Sequence, residues 1–243
     1  MARKSPYRPL RRSCKLPELF RVLFLFVFFL LFHSEGGKRC STPFSGSLLA
    51  QDRSFKAGFA AGLNTSQISG DDLSGFHQFG LAGGLFVSRP VSDKVTLELQ
   101  FLFSQKGSRK TPNPKKGDYS FYNLRVNYVD LPLMLGYNFG SFELFGGPLI
   151  GAKVGGVTEE TENGSIPDAD RPDFEPFDVG VHAGIGYKLM EQLHFDLRLS
   201  NSILPARKFT GGTVNNKGTG QYLNRGQYHT VVSFLVKYRV LGR

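Results

Sequence analysis

Two residues in the C-terminal half, His182 and Ser200, have the side chains of a general base and a nucleophile. If the stretch "MEQ" at residues 190–192 is a tight turn that places Leu189 opposite Leu193, His182 lies opposite Ser200 on one sheet face. A hydroxyl activated by an imidazole would support acyl transfer or ester hydrolysis. A polar pair packed inside the fold has the same spacing, since a nucleophile also needs an oriented base and access for its substrate.

Other motifs that carry chemistry are lacking in this sequence. Around Ser200 the chain reads "LRLSNSILP", and the position two residues before the serine is Arg198, which stays protonated and cannot act as a base. The glycine-rich "FTGGT" does not match a phosphate-binding loop, and the histidines have no metal-ligand spacing. We therefore predict no catalytic residues, no bound metal and no cofactor, and we predict that the protein is not an enzyme.

The strands that would position these residues are predicted from the spacing of the apolar residues. Apolar residues recur at every second position in eight segments, which is typical of strands with unlike faces. Each segment has about the 9 to 11 residues with which a tilted strand crosses a bilayer. The segments are residues 55–63, 79–88, 95–104, 128–139, 142–154, 177–188, 193–200 and 232–240. Pro132 and Pro148 fall within two of them and predict a local bulge at each.

The connections between these segments alternate in length. Short ones lie at residues 89–94, 140–141 and 190–192, and long ones at residues 64–75, 106–127, 155–174 and 203–228. In an antiparallel meander, all long loops then lie at one end and both termini at the other. Barrels of the bacterial outer membrane have this asymmetry, with short periplasmic turns and long outer loops.

The two faces of the segments differ in size as well as polarity. Glycine and alanine lie on the polar face, where the narrow interior of an eight-stranded barrel needs them. Aromatic residues on the apolar face gather near the short turns, as in an aromatic girdle at a membrane interface. A soluble lipocalin-like barrel would point its apolar face inward instead. We predict an all-β, eight-stranded antiparallel up-and-down transmembrane β-barrel whose Leu97 face meets lipid and whose Glu98 face lines the lumen.

The inward positions carry charges of both signs. The predicted structural cluster in the lumen consists of Glu98, Asp130, His182, Asp196, Arg198 and Lys237. Mutual pairing of these groups is expected, because an interior of eight strands is just wide enough for side chains. This argues against an open, porin-like channel.

The N-terminal 50 residues differ from the rest of the chain. A basic stretch precedes eleven apolar residues, Val22 to Phe32, which is short for a membrane-spanning helix and typical of a secretory signal. An inner-membrane anchor is the alternative. We predict a signal peptide and unstructured leader at residues 1–50, cleaved after residue 36 or 50, and a barrel domain at residues 51–243. Both cysteines, Cys14 and Cys40, lie in this leader.

The leader also accounts for most of the net charge. Residues 1–50 hold nine of the 30 basic residues and two of the 20 acidic ones, which leaves about +3 of the formal +10 for the rest. A nucleic-acid partner is therefore not expected.

Several stretches of the predicted strands carry a family likeness. The chain reads "NYVDLPLMLGYNF", "FELFGGPLIGAKVGG", "FKAGFAAGLN" and "FDLRLS", and over residues 55 to 240 it resembles the PorT-like outer-membrane β-barrel family. The resemblance implies a small outer-membrane barrel of a Gram-negative bacterium, and a family whose founding member is associated with protein secretion and gliding. The chain departs from such barrels at its end, "KYRVLGR", where a final aromatic residue is common.

The long loops have opposite charges. Candidate binding residues are Lys110, Lys115 and Lys116 in one loop and Glu159, Glu160 and Asp170 in another. Solvated loops explain such charges, and so do contacts with lipopolysaccharide phosphates or a protein partner, or Ca²⁺ at the acidic loop. Neither residues 109–120 nor residues 158–172 are expected to form strands.

Taken together, these features predict an integral outer-membrane protein with both termini in the periplasm. Its expected role is structural or partner-binding, and the family resemblance implies a role accessory to protein secretion. Its expected partners are outer-membrane lipid, lipopolysaccharide and a protein bound by the loops or the periplasmic face. The alternative is a membrane-embedded lipid-modifying enzyme, an acyl hydrolase or acyltransferase, that uses His182 and Ser200.

Overall fold

A computed structural model describes residues 55–69, 75–112, 114–167, 173–208 and 226–242. The predicted leader at residues 1–50 lies outside this part of the chain. The strands are β1 (Lys56–Ser69), β2 (Gln78–Pro90), β3 (Val95–Lys110), β4 (Tyr122–Phe139), β5 (Phe142–Lys153), β6 (Thr158–Thr161), β7 (Gly164–Ser165), β8 (Phe177–Lys188), β9 (Leu193–Ser202), β10 (Arg207–Lys208) and β11 (Gly226–Leu241). A single 3₁₀ turn, Pro114–Lys116, lies between β3 and β4. The described residues include no helix that is both long and apolar enough to cross a membrane.

Eight of these strands form a closed antiparallel ring. Its order is β3, β2, β1, β11, β9, β8, β5 and β4, and β4 pairs with β3 to close it. The first and last strands also pair, from Ala57 opposite Leu241 to Ser69 opposite Tyr228. The predicted all-β, eight-stranded, up-and-down architecture is confirmed.

The outward face of the ring is apolar and exposed along most of its height. Phe79 is 68% exposed and Leu135 57%, although both are large hydrophobic side chains. At the short-turn end the predicted aromatic girdle is present, and Phe142 packs between Phe139 and Tyr187 with ring centroids 6.0 and 5.1 Å away. A surface of this kind is stable in lipid, and water would disfavour it.

Several strands run well past this apolar belt at the long-loop end. With about 3.4 Å per residue and a tilt near 45°, the 18 residues of β4 rise about 43 Å, whereas the apolar band of such barrels is about 25 Å tall. β1, β3 and β11 are also longer than predicted. We call the part of the barrel beyond Gln105 and Asn127 the outer extension.

The outward face changes from apolar to polar in the outer extension. Its outward positions are polar, among them Gln67, Asn123 and Arg125. Its interior is an apolar core formed by Ile68, Leu124, Val126, Tyr128, Phe174 and Ala206, all buried. Below it, the apolar residues face outward and the charged residues face inward. The alternation therefore continues along each strand, but above the belt the outward positions are polar and the inward positions hold both apolar and charged residues.

Two short hairpin segments complete the outer extension. β6 pairs with the upper half of β4, from Tyr122 opposite Thr161 to Arg125 opposite Thr158, and β7 pairs with β6. β10 pairs with the start of β11. The prediction that residues 158–172 contain no strand is therefore wrong, because β6 and β7 lie within them and β6 continues the barrel wall beside β4. The same prediction for residues 109–120 is wrong at Arg109 and Lys110, which end β3.

The two prolines do not cause the predicted bulges. Pro132 lies opposite Leu149, and Pro148 lies opposite Val181 in an uninterrupted register between β5 and β8. Pairing between β4 and β5 lapses for two residues beside these prolines and resumes in the same register. The missing N–H groups are thus accommodated by local gaps in the ladder.

Candidate functional site

The lower lumen, nearest the short turns, contains a buried charge network. The Lys237 ammonium lies 2.9 Å from Asp196 Oδ2 and 3.2 Å from Glu98 Oε1. Next to it, Arg198 Nη2 donates to Gln100 Oε1 at 2.9 Å. These side chains, each less than 10% exposed, come from three strands, β3, β9 and β11. The network therefore ties opposite walls of the barrel together.

A second network lies higher in the lumen. Lys106 Nζ is 2.9 Å from Asp130 Oδ1 and 3.0 Å from Asp178 Oδ2, and the Ser202 hydroxyl donates to the other oxygen of Asp178. The ammonium also lies 4.8 Å from the Tyr128 ring centroid. The cation is thus held by two carboxylates and an aromatic face.

Lys106 was missed as a lumen residue, because the sequence analysis assigned residues 106–127 to a long basic loop. The signal was present: Ser104, Lys106 and Ser108 continue the inward positions of β3. All six residues of the predicted lumen cluster, by contrast, are buried, since Glu98, Asp130, His182, Asp196, Arg198 and Lys237 are each at most 7% exposed.

Large apolar side chains also occupy the lumen and were not predicted there. Phe86, Leu102 and Leu235 pack with Ala60 and Ala82 into one buried cluster. In addition, Phe145 is buried beside the Arg198 guanidinium, which lies 5.6 Å from its ring centroid. These residues lie at inward positions that otherwise hold polar or small residues, so no single position identifies them as part of a core.

Hydrogen bonds also join β1 directly to β3, although β2 lies between these two strands in the ring. Asn64 and Ser66 on β1 reach β3, where Asn64 Nδ2 donates to the Gln105 carbonyl at 3.2 Å and the Gly107 N–H donates to Ser66 Oγ at 2.9 Å. Gly80 on β2 lies between them, and a Cβ there would be 2.5 Å from the Gln105 carbonyl oxygen. The bare backbone at Gly80 therefore permits the narrow cross-section.

Two small cavities lie in the described part of the barrel. A cavity of about 20 Å³ lies between Asn64, Lys106, Asp130 and Arg198, and another of about 30 Å³ lies near Glu143 and His194 at the short-turn end. Each is large enough for about one or two water molecules. Neither is a path for a solute.

The register predicted for His182 and Ser200 is confirmed. The two residues pair across β8 and β9, and the Leu189 N–H donates to the Leu193 carbonyl in the connecting turn. However, neither ring nitrogen of His182 has a hydrogen-bond partner among the described residues. Both side chains are buried inside the barrel, while the lipid-facing surface lies on its outside. This geometry does not support the acyl hydrolase or acyltransferase alternative.

Two of the three candidate residues of the acidic loop, Glu159 and Glu160, are engaged by other side chains of the barrel. Glu159 is 7% exposed, and its carboxylate accepts hydrogen bonds from Arg207 Nη2 at 2.8 Å and from the Tyr122 hydroxyl at 2.7 Å. Glu160 accepts a bond from Asn123 Nδ2 at 3.1 Å. The assignment of Glu159 to a solvated loop is therefore wrong, because it lies in β6 and points into the outer extension. Asp170 lies outside the described residues.

The basic loop between β3 and β4 remains exposed. Lys115 is solvent-exposed in the 3₁₀ turn that also contains Lys116. Lys110 forms an ion pair of 3.0 Å with Asp118. Hydrogen bonds from the Ser120 hydroxyl and the Lys110 ammonium lower the pKa of Asp118 to about 2. At the tip, Tyr119 is 71% exposed.

The two charged loops contact each other. The Phe121 N–H donates to Glu162 Oε2 at 3.3 Å, in addition to the ladder between β4 and β6. The basic and acidic loops identified in the sequence therefore contact each other as well as solvent. Within the described ranges, no three His, Cys, Asp or Glu side chains form a group that could hold a metal ion.

Comparisons with known proteins agree with this architecture. The family model of the outer membrane protein beta-barrel domain matches residues 49–205, more than half of the 243 residues. No curated protein matches the chain.

Several solved structures are similar to the chain at low identity. Ail, the attachment invasion locus protein of Yersinia pestis, is 10% identical and has a TM-score of 0.41, with 76% of this chain and 98% of that chain covered. Neisserial surface protein A is 10% identical, with a TM-score of 0.45 and coverage of 76% and 97%. Outer membrane protein W of E. coli is 16% identical, with a TM-score of 0.35 and coverage of 78% and 100%. On the extent of the match to the family model, the chain belongs to the family of the outer membrane protein β-barrel domain, and its location is the outer membrane.

Proposed function

We propose that this protein is a closed, non-conducting outer-membrane barrel whose outer extension is a platform for a protein partner. The observation that carries this proposal is the apolar core of the extension, because it fixes the long β3–β4 hairpin above the membrane as a packed structure. Rigid presentation lowers the entropy lost when a partner binds.

The filled lumen supports the non-conducting part of the proposal. Two ion networks and an apolar cluster occupy it between the short turns and the extension. Eight strands leave little room beyond these side chains. What remains for function is the surface of the two ends.

The proposed orientation places the extension on the outer side and both termini in the periplasm of a Gram-negative bacterium. It is supported by the lengths of the connections, since small outer-membrane barrels have short periplasmic turns and long outer loops. The predicted signal peptide would deliver the chain to the periplasm.

The PorT-like resemblance of the strand motifs suggests a finer role, accessory to protein secretion. In that role the barrel would hold a component of a secretion apparatus at the outer membrane. The exposed loop at residues 111–121 is the surface most suited to it, because it combines basic residues with the aromatic side chain of Tyr119.

Planar-bilayer recordings of the refolded protein should show no steady ionic conductance. Lys106, Arg198 and Lys237 are held by partners inside the lumen, so no water-filled path is expected. An open porin of larger strand number serves as a positive control for insertion. Reproducible, long-lived conductance steps from the wild-type protein would contradict the closed-barrel proposal.

Replacing residues 111–121 by Asn-Gly should leave the barrel assembled and remove partner binding. Lys110 and Tyr122 are directly paired, so a two-residue turn can join β3 to β4 without changing their register. Heat-modifiable gel mobility would report assembly. Co-purification of a partner and release of secreted proteins from cells would report function.

The matched control is Met190→Ser in the short turn at the other end, where the side chain is 63% exposed. It should leave both readouts unchanged. If the loop replacement left partner co-purification and protein release unchanged while Met190→Ser abolished them, the partner would bind at the periplasmic end instead.

A further inference from the structure

The outward side of the β3–β4 hairpin carries two arginines just above the apolar belt. Arg109 and Arg125 are both exposed. Arg125 pairs with Gly107, and Arg109 pairs with Asn123, so the arginines are diagonal neighbours on one face. Diagonal neighbours on a sheet lie about 7 to 8 Å apart, which long side chains can bridge.

These arginines differ from the other basic residues of the same two strands. Lys106 is held by two aspartates and Lys110 by Asp118. Within the part of the chain that the structure describes, no ion pair or hydrogen bond engages the side chain of Arg109 or Arg125. The acidic Glu160 lies on the same surface, but its carboxylate accepts a hydrogen bond from Asn123.

The height of the pair matches the headgroup layer of a membrane. Val129 is the last apolar outward residue of β4, and Arg125 lies four residues beyond it. With about 3.4 Å per residue and a tilt near 45°, the Cα of Arg125 is about 10 Å above the edge of the belt, and that of Arg109, which pairs with Asn123 two residues farther along, is about 14 Å above it. A flexible guanidinium at this level reaches phosphate groups attached to lipid.

Two guanidinium groups on one face suit a phosphate ligand. Arginine binds phosphate through paired N–H donors, and two arginines can grip one phosphate or two neighbouring ones. In the proposed orientation, this surface meets the outer leaflet, whose phosphorylated lipid is lipopolysaccharide.

We propose that Arg109 and Arg125 form a site for the phosphate groups of lipopolysaccharide on the outer wall of the barrel. The site rests on the proposed orientation and is independent of the protein partner. It would fix the rotation and depth of the barrel in the outer leaflet and thereby hold the platform at a constant height.

The test uses the refolded barrel domain in detergent and measures bound lipopolysaccharide by native mass spectrometry. Arg109→Gln combined with Arg125→Gln should weaken binding about 30-fold, since each basic residue near an anionic lipid surface contributes about 1 kcal/mol. Dephosphorylated lipopolysaccharide should bind the wild-type protein as weakly as intact lipopolysaccharide binds the double variant. Heat-modifiable mobility confirms that each variant is folded.

The matched control is Lys94→Gln combined with Lys188→Gln, which removes the same charge at exposed positions of the short-turn end. It should bind lipopolysaccharide like wild type. An equal loss in both double variants would attribute binding to net charge and overturn the site, as would no loss in the arginine variant. An equal loss of phosphatidylglycerol binding in the arginine variant would overturn the assignment to lipopolysaccharide. None of these outcomes bears on partner binding, which the replacement of residues 111–121 tests separately.

Discussion

Replacing Lys106 by methionine is expected to lower the free energy of unfolding by about 3 to 5 kcal/mol. Methionine has a similar shape but no charge, so Asp130 and Asp178 would remain buried without the cation that lies 2.9 and 3.0 Å from them. Removing one partner of a buried ion network leaves uncompensated charge, which costs more than the loss of a contact. Denaturant titrations of the protein refolded in lipid vesicles would measure the change.

Two further variants test the cause of that loss. Lys110→Met removes a cation four residues along the same strand, where the ion pair with Asp118 is about one-third exposed, and it should cost much less than Lys106→Met. The triple variant Lys106→Met, Asp130→Asn, Asp178→Asn should regain most of the lost stability, because it removes the unpaired charges. A triple variant as unstable as Lys106→Met would show that packing, rather than charge, dominates at this position.

Leu197→Arg is expected to destabilise the barrel by about 2 to 4 kcal/mol. Leu197 is 48% exposed on the outward face of β9, midway between Leu193 at the short turn and Asn201 at the upper end of the apolar positions. A guanidinium there would lie near the bilayer midplane. Refolding equilibria in lipid vesicles would give the free-energy difference.

The same substitution beyond the belt is the control for depth. Gln67→Arg changes an outward residue of the outer extension and should cost about 0 to 1 kcal/mol. Glu98→Gln should also cost less than Leu197→Arg, because Lys237 keeps its contact with Asp196. If Glu98→Gln were the more damaging change, the assignment of the inner and outer faces would be wrong.

The recurrence of apolar residues at every second position was sufficient to predict the eight-stranded ring and its lipid-facing and lumen-facing sides. Within the belt, lipid and lumen differ so strongly that every second residue is apolar, as from Val95 to Phe103. The short turn at residues 190–192 was also sufficient to predict the register that pairs His182 with Ser200. Above the belt this contrast is lost. From Gln105 onward the outward positions become polar while inward positions are charged or apolar, so β3 and the start of β4 have the composition of a loop.

Side-chain partners were harder to predict than faces. Glu159 and Arg207 form an ion pair of 2.8 Å although they are 48 residues apart and lie in short strands without alternation. Their contact depends on β6 pairing with β4 and β10 pairing with β11, and neither pairing has a turn signal of its own. Local sequence patterns do not encode such distant registers.

The polar outward wall of the outer extension also affects how the barrel can enter a membrane. In the proposed orientation the extension must traverse the hydrocarbon to reach the cell exterior, and an arginine such as Arg125 raises the free energy by about 2 to 4 kcal/mol at the midplane. In the described part of the chain, the strands extend less far at the short-turn end, where the outward Arg89 lies over the Phe55 ring. Unassisted insertion from one side would therefore carry the short turns across first, which is opposite to the direction needed in the cell. Shelter of the polar wall during its passage would therefore lower the barrier to insertion in the proposed orientation.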